Sequence, residues 1–348
     1  MALPTNLPTR QLGTTDMNIT RVGFGAWALG GGGWAGGWGA ADDDESVGAI
    51  RYAIEQGVNW IDTAPIYGFG RSEEVVGQAL KGIPDADRPY IFTKCGLVWN
   101  PDDPEAGPSN VMAKDSVRRE LDASLRRLGV DQIDLYQVHW PPTDGTPLED
   151  YWGTMVELKN EGKVRAIGMS NHDVAQLDRA QQVGQVDSLQ PPFSLIHRGM
   201  AGDLLPWAQN NGSGVIVYSP MQSGLLTGKM TRDRVEQLPE DDWRKSNPDF
   251  TENLDANLAV VDAIRRVAER HSVPIPAVAV AWTLSWAGVT GAIVGARRPD
   301  QVDGWLPAAG LGLSPEELEE LAAAVDEAGA GEGPTRPTTV AGTAADEK

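Results

Sequence analysis

Short apolar runs rich in β-branched residues alternate with stretches of helical periodicity from about residue 20 to residue 328. Apolar runs bounded by polar segments predict strands, and their alternation with helix-length segments is typical of a parallel α/β fold. The predicted strands are residues 21–25, 58–62, 89–94, 133–139, 164–169, 186–190, 214–219 and 291–295. Eight such units predict a single-domain (β/α)8 TIM barrel. An open doubly wound sheet is the competing architecture, and the uniform composition favours closure.

Three segments depart from this alternation. Residues 1–20 precede the first predicted strand, and the pattern of residues 7–20 predicts a small hairpin. Residues 228–256 form a long polar insertion after the seventh predicted strand, and loops of that length in a compact domain are usually functional or disordered. Residues 330–348 are rich in Gly, Ala, Thr and Pro, which predicts a disordered tail. The predicted barrel domain is therefore residues 21–329.

Composition argues against several classes of function. The 348 residues include 49 acidic and 29 basic ones, so the formal net charge is −20. A chain this acidic lacks the positive field that binds nucleic acid or an anionic membrane. A phosphate-bearing ligand would therefore need a local cluster of basic side chains. Cys95 is the only cysteine and the N-terminus lacks a signal-peptide pattern, so we expect a cytoplasmic protein without disulfides.

Four polar residues stand at or just beyond the C-terminal ends of three successive predicted strands. They are Asp62, Tyr67, Lys94 and His139. In a (β/α)8 barrel these strand ends share one rim, and that rim carries the active site. Each residue taken alone has an ordinary structural role, as a capping carboxylate, a satisfied core charge or a packed ring. Their coincidence on neighbouring strand ends predicts a catalytic site.

These side chains suit the reduction of a carbonyl group. A free tyrosine has a pKa near ~10, and an ammonium group within a few ångströms stabilises the phenolate and lowers that pKa. Asp62 would hold Lys94 in place, and His139 would donate a hydrogen bond to a carbonyl oxygen. Tyr67 would then protonate the developing alkoxide. The hydride must come from a cofactor, because no side chain can supply one.

The motifs around these residues resemble the aldo-keto reductase superfamily. Asp-Thr-Ala-Pro-Ile-Tyr-Gly at residues 62–68, followed by Gly-Arg-Ser-Glu at 70–73, is similar to the first signature of that family. Thr-Lys at 93–94 and Gln-Val-His-Trp at 137–140 match its lysine and histidine positions. The resemblance covers nearly the whole chain. It implies a (β/α)8 barrel that binds a nicotinamide cofactor in extended form, with Tyr67 as proton donor.

The resemblance also implies a set of cofactor-binding residues. Ser170, Asn171 and Gln190 correspond to residues that bind the carboxamide, and Tyr218 corresponds to the ring that stacks on the nicotinamide. The other implied positions are Gly25, Ala26, Trp27 and Asp62 at the nicotinamide, then Ser219 with the adjoining Pro220, Leu225 and Gly228 along the pyrophosphate, and Gly295, Arg297 and Gln301 at the adenosine end.

The adenosine end differs from many relatives in two places. Trp305 stands where many carry an asparagine that contacts adenine, and Val294 stands in place of a proline. The tandem Arg297–Arg298 is a basic pair in an acidic chain and suits a clamp for a 2′-phosphate. The alternative is two solvated arginines. The pair favours NADPH (NADP+) over NADH as the cofactor.

Tryptophans are abundant, and several fall on predicted rim loops. The chain has 12 of them, and rim aromatics form the apolar wall of a substrate pocket. The substrate-pocket candidates are Trp27, Trp34, Trp99 and Trp140. Such walls suit flat carbonyl compounds and also the apolar faces of sugars, so both substrate classes stay open. The histidines and Cys95 lack metal-ligand spacing, so we expect no metal.

The sequence therefore predicts an NADPH-dependent oxidoreductase that reduces an aldehyde or ketone, either a small carbonyl compound or a sugar. A second hypothesis, from another functional class, is a cofactor-binding regulatory subunit with little turnover, as in potassium-channel β subunits. An isomerase or lyase on the same barrel would leave Ser170, Asn171 and the arginine pair unexplained. The physiological substrate, the preferred direction of reaction and the oligomeric state stay open.

Overall fold

The computed structural model describes residues 6–34, 36–103, 106–240 and 242–337, and eight of their strands form a closed parallel barrel. The strands are β1 (Thr9–Gln11), β2 (Asn18–Thr20), β3 (Val22–Gly25), β4 (Trp60–Asp62), β5 (Tyr90–Cys95), β6 (Leu97–Val98), β7 (Ser109–Asn110), β8 (Ile133–Val138), β9 (Val164–Ser170), β10 (Ser188–Gln190), β11 (Gly214–Val217) and β12 (Val289–Gly295). The barrel order is β3-β4-β5-β8-β9-β10-β11-β12, and β12 closes the barrel by pairing with β3. The predicted (β/α)8 TIM barrel is confirmed.

Helices surround the barrel, and those that pack on it, such as α3 (Lys114–Leu128) against β5, present an apolar stripe to the strands. The helices are α1 (Asp43–Glu55), α2 (Arg71–Leu80), α3 (Lys114–Leu128), α4 (Leu148–Asn160), α5 (Val174–Val183), α6 (Leu204–Asn211), α7 (Arg232–Glu236), α8 (Leu254–His271), α9 (Ile275–Leu284), α10 (Pro299–Val302) and α11 (Pro315–Ala328). On α3, for example, Val117, Leu121 and Leu128 are buried in the core between helices and strands. Among these helices, none is both long enough and apolar enough to cross a membrane.

The interior of the barrel has an apolar layer and, next to the C-terminal rim, a polar layer. Residues two apart on a strand share a face, because successive side chains point to opposite sides. The apolar layer includes Trp60 on β4, Phe92 on β5 and Leu135 on β8. Two residues further along the same strands stand the buried polar side chains of Asp62, Lys94 and Gln137. The alternation thus places a carboxylate, an ammonium and an amide side by side below the rim.

The predicted hairpin, formed by β1 and β2, packs against the apolar layer of the barrel. The indole of Trp60 donates a hydrogen bond to the carbonyl oxygen of Thr20 at 2.8 Å, which ties the hairpin to the barrel interior. The same indole fills the space beside Gly23, where an added Cβ would lie 2.1 Å from the ring. Glycine at this position of β3 is therefore required by the close approach of Trp60.

The C-terminal segment is ordered further than composition suggests. The backbone N–H of Arg198 donates to the carbonyl oxygen of Glu332, and its guanidinium donates to the carbonyl oxygen of Ala330 at 3.1 Å. Arg336 pairs with Glu319 on α11 at 2.6 Å. Residues 330–337 of the predicted tail therefore contact the barrel domain through specific partners, which composition does not reveal. The rest of the predicted tail lies outside the described residues.

Candidate active site

A cavity of about 1000 Å³ opens at the C-terminal rim of the barrel. Its lining includes Asp62, Tyr67 and His139, so three of the four predicted catalytic residues face one space. Lys94 does not line the cavity, because its side chain is fully buried in the polar layer behind it. The strand ends that the sequence identified thus converge on one cavity, and the Lys94 side chain lies buried behind its lining.

An ion pair between Lys94 and Asp62 is the centre of this layer. The Nζ of Lys94 lies 2.5 Å from Oδ1 of Asp62 and donates to the carbonyl oxygen of Thr63 at 2.9 Å. The other carboxylate oxygen accepts hydrogen bonds from Gln190 at 2.8 Å and from Gln137 at 3.4 Å. Burial lowers the pKa of Lys94, and Asp62 opposes that shift. A buried charge pair of this kind persists because its remaining polar atoms are also satisfied.

Tyr67 lies directly above this ion pair. The Nζ of Lys94 is 5.3 Å from the centroid of the tyrosine ring. Burial raises the pKa of Tyr67 well above its usual range, and the negative charge of Asp62 adds to the increase. The expected lowering of this pKa by Lys94 is therefore not found, because desolvation disfavours the phenolate more strongly. Tyr67 holds its proton at neutral pH.

His139 presents a neutral imidazole to the cavity. Its ring packs edge-on against Tyr67, with 5.7 Å between the ring centroids. Burial lowers the pKa of His139 well below its usual range, and the positive charge of Lys94 lowers it further. Within the described part of the chain, its Nδ1 is buried without a hydrogen-bond partner. A neutral imidazole has one N–H to donate. Because its pKa is low, His139 does not become a second positive charge beside Lys94.

A chain of hydrogen bonds joins the predicted carboxamide-binding residues. The hydroxyl of Tyr218 donates to Oδ1 of Asn171 at 2.8 Å, and Nδ2 of Asn171 donates to the carbonyl oxygen of His139 and to Oγ of Ser170, both at 3.0 Å. The hydroxyl of Ser170 donates in turn to the carbonyl oxygen of Gln190 at 2.8 Å. All five residues line the cavity. Their orientations are therefore fixed by the protein itself.

Four basic side chains line the cavity of this otherwise acidic protein. They are Lys229, Arg234, Arg244 and Arg297. The two carboxylates in the same lining, Asp62 and Asp300, are each already paired with a basic side chain. The cavity therefore contains the local cluster of basic groups that a phosphate-bearing ligand needs. Sequence reasoning found only Arg297, because the other three lie in the insertion 228–256.

The insertion 228–256 contributes to the cavity by meeting the loop after β3. The ring of Trp243 stacks on Trp27, with 6.1 Å between centroids. The guanidinium of Arg244 lies 4.9 Å from the centroid of Trp38, and a 2.6 Å ion pair with Asp242 holds it there. The long polar loop that the sequence flagged is thus a folded wall of the site.

Comparison with known proteins supports the chemistry suggested by this geometry. The model of the Aldo/keto reductase family matches residues 21–326. The chain belongs to that family. It is 37% identical over 332 residues to an NADH-specific methylglyoxal reductase of Escherichia coli (strain K12), an alignment that covers 90% of this chain and 98% of the relative. It is 36% identical to an aldo-keto reductase of Bacillus subtilis (strain 168), covering 88% of this chain and 90% of the relative.

A solved structure agrees as well. The glycerol dehydrogenase of Gluconobacter oxydans superposes with a TM-score of 0.84 at 38% identity, over 96% of this chain and 99% of that one. This aldo/keto reductase is therefore an oxidoreductase of carbonyl compounds that uses a nicotinamide cofactor. These relatives are named as enzymes, and nothing in the comparisons supports the regulatory-subunit hypothesis.

Most of the predicted cofactor positions of this reductase face the cavity. Besides those already described, the lining includes Gly25, Trp27, Ser219, Pro220, Gly295 and Gln301. Three predicted positions do not line it: Ala26, Leu225 and Gly228. Ala26 and Leu225 are fully buried in the core, where they support the lining backbone from behind. Thr227 and Lys229 face the cavity on either side of Gly228.

The adenosine end differs from the predicted arginine clamp. Arg297 lines the cavity, but its guanidinium donates to the carbonyl oxygens of Trp38 and Ala40. Arg298 does not line the cavity and forms a two-point ion pair with Asp300 at 3.0 and 3.2 Å. The two guanidinium groups thus bind different protein partners, which the sequence pattern did not show. Trp305, whose role the sequence left open, lines the cavity nearby.

Tryptophan faces form the wall beside Tyr67. The rings of Trp34 and Trp27 lie 6.1 and 6.4 Å from the tyrosine ring. Both indole N–H groups donate to backbone carbonyl oxygens of their own loop, so the rings offer apolar surface to a substrate. Trp140 also lines the cavity and is 44% exposed at its mouth. The fourth candidate, Trp99, does not line the cavity: its ring lies 5.6 Å from that of Phe69, which does.

Groups of three or more potential metal ligands do not occur among the residues that the structure describes. In the layer around Asp62, the carboxylate oxygens are already occupied by Lys94 and two glutamines.

Removing one member of the buried ion pair should destabilise the protein more than removing both. We expect Asp62→Asn to cost about 3–5 kcal/mol of unfolding free energy, because it leaves the buried ammonium of Lys94 unpaired. The double variant Asp62→Asn/Lys94→Met should recover about 2 kcal/mol of that loss. Urea unfolding of the variants measures both values.

The exposed pair between Arg179 and Glu149 supplies the control, since Glu149→Gln removes only a solvent-screened ion pair and should leave the unfolding midpoint close to that of the wild type. A double variant less stable than Asp62→Asn alone would show that the ion pair is not what holds the polar layer together.

Proposed function

We propose that this reductase transfers hydride from NADPH to the carbonyl carbon of a small aldehyde or ketone while Tyr67 protonates the carbonyl oxygen. The observation that carries the proposal is the position of the Lys94 ammonium, fully buried, bound to Asp62 and 5.3 Å from the Tyr67 ring. A positive charge held below a protonated phenol stabilises the phenolate that proton transfer leaves behind.

The residues that line the cavity fit a nicotinamide dinucleotide. Such a cofactor supplies the hydride when it is bound. Ser170 and Asn171 present a hydroxyl and an amide that are already aligned and suit the carboxamide. The ring of Tyr218 lies beside them and offers a stacking surface. The basic side chains described above suit the pyrophosphate, because charged hydrogen bonds to phosphate are among the strongest in proteins.

In this mechanism Tyr67 gives its proton to the substrate oxygen. His139, Lys94 and Asp62 make that transfer possible. Tyr67 keeps its proton until negative charge develops on the substrate oxygen, because burial raises its pKa. His139, whose low pKa keeps it neutral, donates its one N–H to the same oxygen and orients the carbonyl. Lys94 stays charged through its bond to Asp62 and so offsets the phenolate charge.

Replacing the proton donor tests this mechanism. We expect Tyr67→Phe to lower kcat for carbonyl reduction by roughly 10²–10⁴-fold while NADPH binding changes little, because only the acid is removed. Cofactor fluorescence measures binding, and NADPH oxidation with a panel of aldehydes, α-dicarbonyls and aldose sugars measures turnover.

The surface hydroxyl of Tyr52, which bonds Asp303 at 2.7 Å, gives the matched variant Tyr52→Phe, and its kcat should equal that of the wild type. A Tyr67→Phe enzyme with near-normal kcat would remove Tyr67 from the role of proton donor.

The proposed preference of the enzyme for NADPH over NADH depends on Arg298, as the side chain that would bind the 2′-phosphate. This guanidinium is 48% exposed, and its partner Asp300 is 65% exposed. An exposed ion pair is weak because water screens it, so a dianionic 2′-phosphate can replace Asp300 as the partner of Arg298 at little cost. Asp300 lines the cavity and would otherwise repel that phosphate.

We expect Arg298→Gln to lower the NADPH-to-NADH ratio of kcat/KM by at least about tenfold, since a two-point charged contact is lost. Asp300→Asn should raise the same ratio, because it removes a competing carboxylate. Steady-state kinetics with both cofactors measures the two ratios. A wild-type enzyme that prefers NADH, or a ratio unmoved by Arg298→Gln, would contradict the assignment.

The substrate class follows from the apolar wall and from the relatives. The rings of Trp27 and Trp34 offer no free N–H toward a substrate. The named activities of two relatives concern small uncharged molecules, methylglyoxal and glycerol. Both observations support a small uncharged carbonyl compound as the substrate. A cytoplasmic location stays a prediction from cysteine usage and the N-terminal sequence.

A further inference from the structure

His172 occupies a position that the mechanism above does not use. It follows directly after Ser170 and Asn171, is 5% exposed and does not line the cavity. Its Nδ1 lies 2.8 Å from the carbonyl oxygen of Ser170, and its Nε2 lies 3.0 Å from the hydroxyl of Tyr151 on α4. The imidazole therefore bridges an outer helix and the backbone of the predicted carboxamide site.

The direction of these hydrogen bonds is fixed by chemistry. A carbonyl oxygen only accepts, so Nδ1 of His172 must carry the proton that it shares with Ser170. Burial lowers the pKa of His172 to about 4, so the ring is neutral and Nε2 has no hydrogen. Nε2 then accepts from the hydroxyl of Tyr151. The relay runs in one direction, from Tyr151 through His172 to the carbonyl of Ser170.

That carbonyl belongs to the peptide group that leads into Asn171. Asn171 has φ +61°, in the left-handed region that residues other than glycine rarely adopt. A donor on the Ser170 carbonyl fixes the plane of this peptide, and the plane sets both φ of Asn171 and the direction of its side chain. The amide of Asn171 must keep that direction to reach the carbonyl oxygen of His139 and the hydroxyl of Tyr218.

We propose that His172 is a positioning residue for the nicotinamide carboxamide, acting through the peptide between Ser170 and Asn171. This inference rests on the proposed function, which assigns the carboxamide to those two side chains. His172 touches neither cofactor nor substrate. It holds the strained turn so that the hydroxyl and the amide face the cavity together. A purely structural role, packing α4 against β9, is the alternative.

The two roles differ in which ligands they affect. A positioning role concerns the carboxamide, so it should alter binding of NADPH and leave 2′-phospho-ADP-ribose, which lacks the nicotinamide, unchanged. A packing role should weaken both ligands together or lower stability alone. Isothermal titration with the two ligands, on wild type and variants, separates the cases.

We expect His172→Leu to weaken NADPH at least tenfold while the affinity for 2′-phospho-ADP-ribose stays within twofold. His172→Asn should restore most of the NADPH affinity, because its amide can place an N–H where Nδ1 stands. Tyr151→Phe, a milder variant that removes only the donor to Nε2, should weaken NADPH about two- to fivefold and spare the truncated ligand. The Tyr151→Phe variant keeps the test decisive if His172→Leu does not fold.

Equal weakening of both ligands, or unchanged NADPH affinity in Tyr151→Phe and in a folded His172→Leu, would overturn the proposal. Failure of the proposed function is seen separately, in the wild type. A wild-type protein that binds NADPH no better than 2′-phospho-ADP-ribose and reduces no carbonyl compound would refute the carboxamide assignment before any variant is compared.

Discussion

The ion pair between Lys94 and Asp62 is the interaction on which the site depends. It stands inside the barrel, where an unpaired charge would be strongly unfavourable, and it survives because both charges find several partners. Lys94 lies 5.3 Å from the ring of Tyr67, and its charge also lowers the pKa of His139. One buried ammonium thus acts on the proposed acid, Tyr67, and on His139, the group proposed to orient the substrate.

The same barrel separates two electrostatic environments. The chain as a whole has a net charge of −20, whereas the lining of the cavity is basic, with its carboxylates already paired. Arg244 is held by Asp242 and stacked on Trp38, so an anion meets a guanidinium that needs little further ordering. Overall charge therefore argues against polyanionic partners without arguing against one small phosphate-bearing ligand.

Local sequence was enough to predict the barrel and the convergence of Asp62, Tyr67 and His139 on one cavity, because strand ends and the Asp62 motif are short-range features. Gln137 was within reach too, since it stands two residues before His139 and so shares its face. Arg244 could not be found this way, because the path of a long insertion is set by contacts with a distant loop. The protein partners of the arginine pair were out of reach for a related reason, as sequence does not show that Asp300 binds Arg298.

The rate of hydride transfer in the double variant Asp62→Asn/Lys94→Met shows whether proton donation by Tyr67 depends on the buried ammonium. Both substituted side chains are uncharged, so the variant lacks the ammonium without leaving a buried charge unpaired. In single-turnover experiments with saturating NADPH and one aldehyde, we expect hydride transfer at least roughly 10²-fold slower than in wild type, with Tyr67 and His139 intact. Hydride transfer at the wild-type rate would contradict it, because proton donation by Tyr67 would then not depend on the charge beneath it.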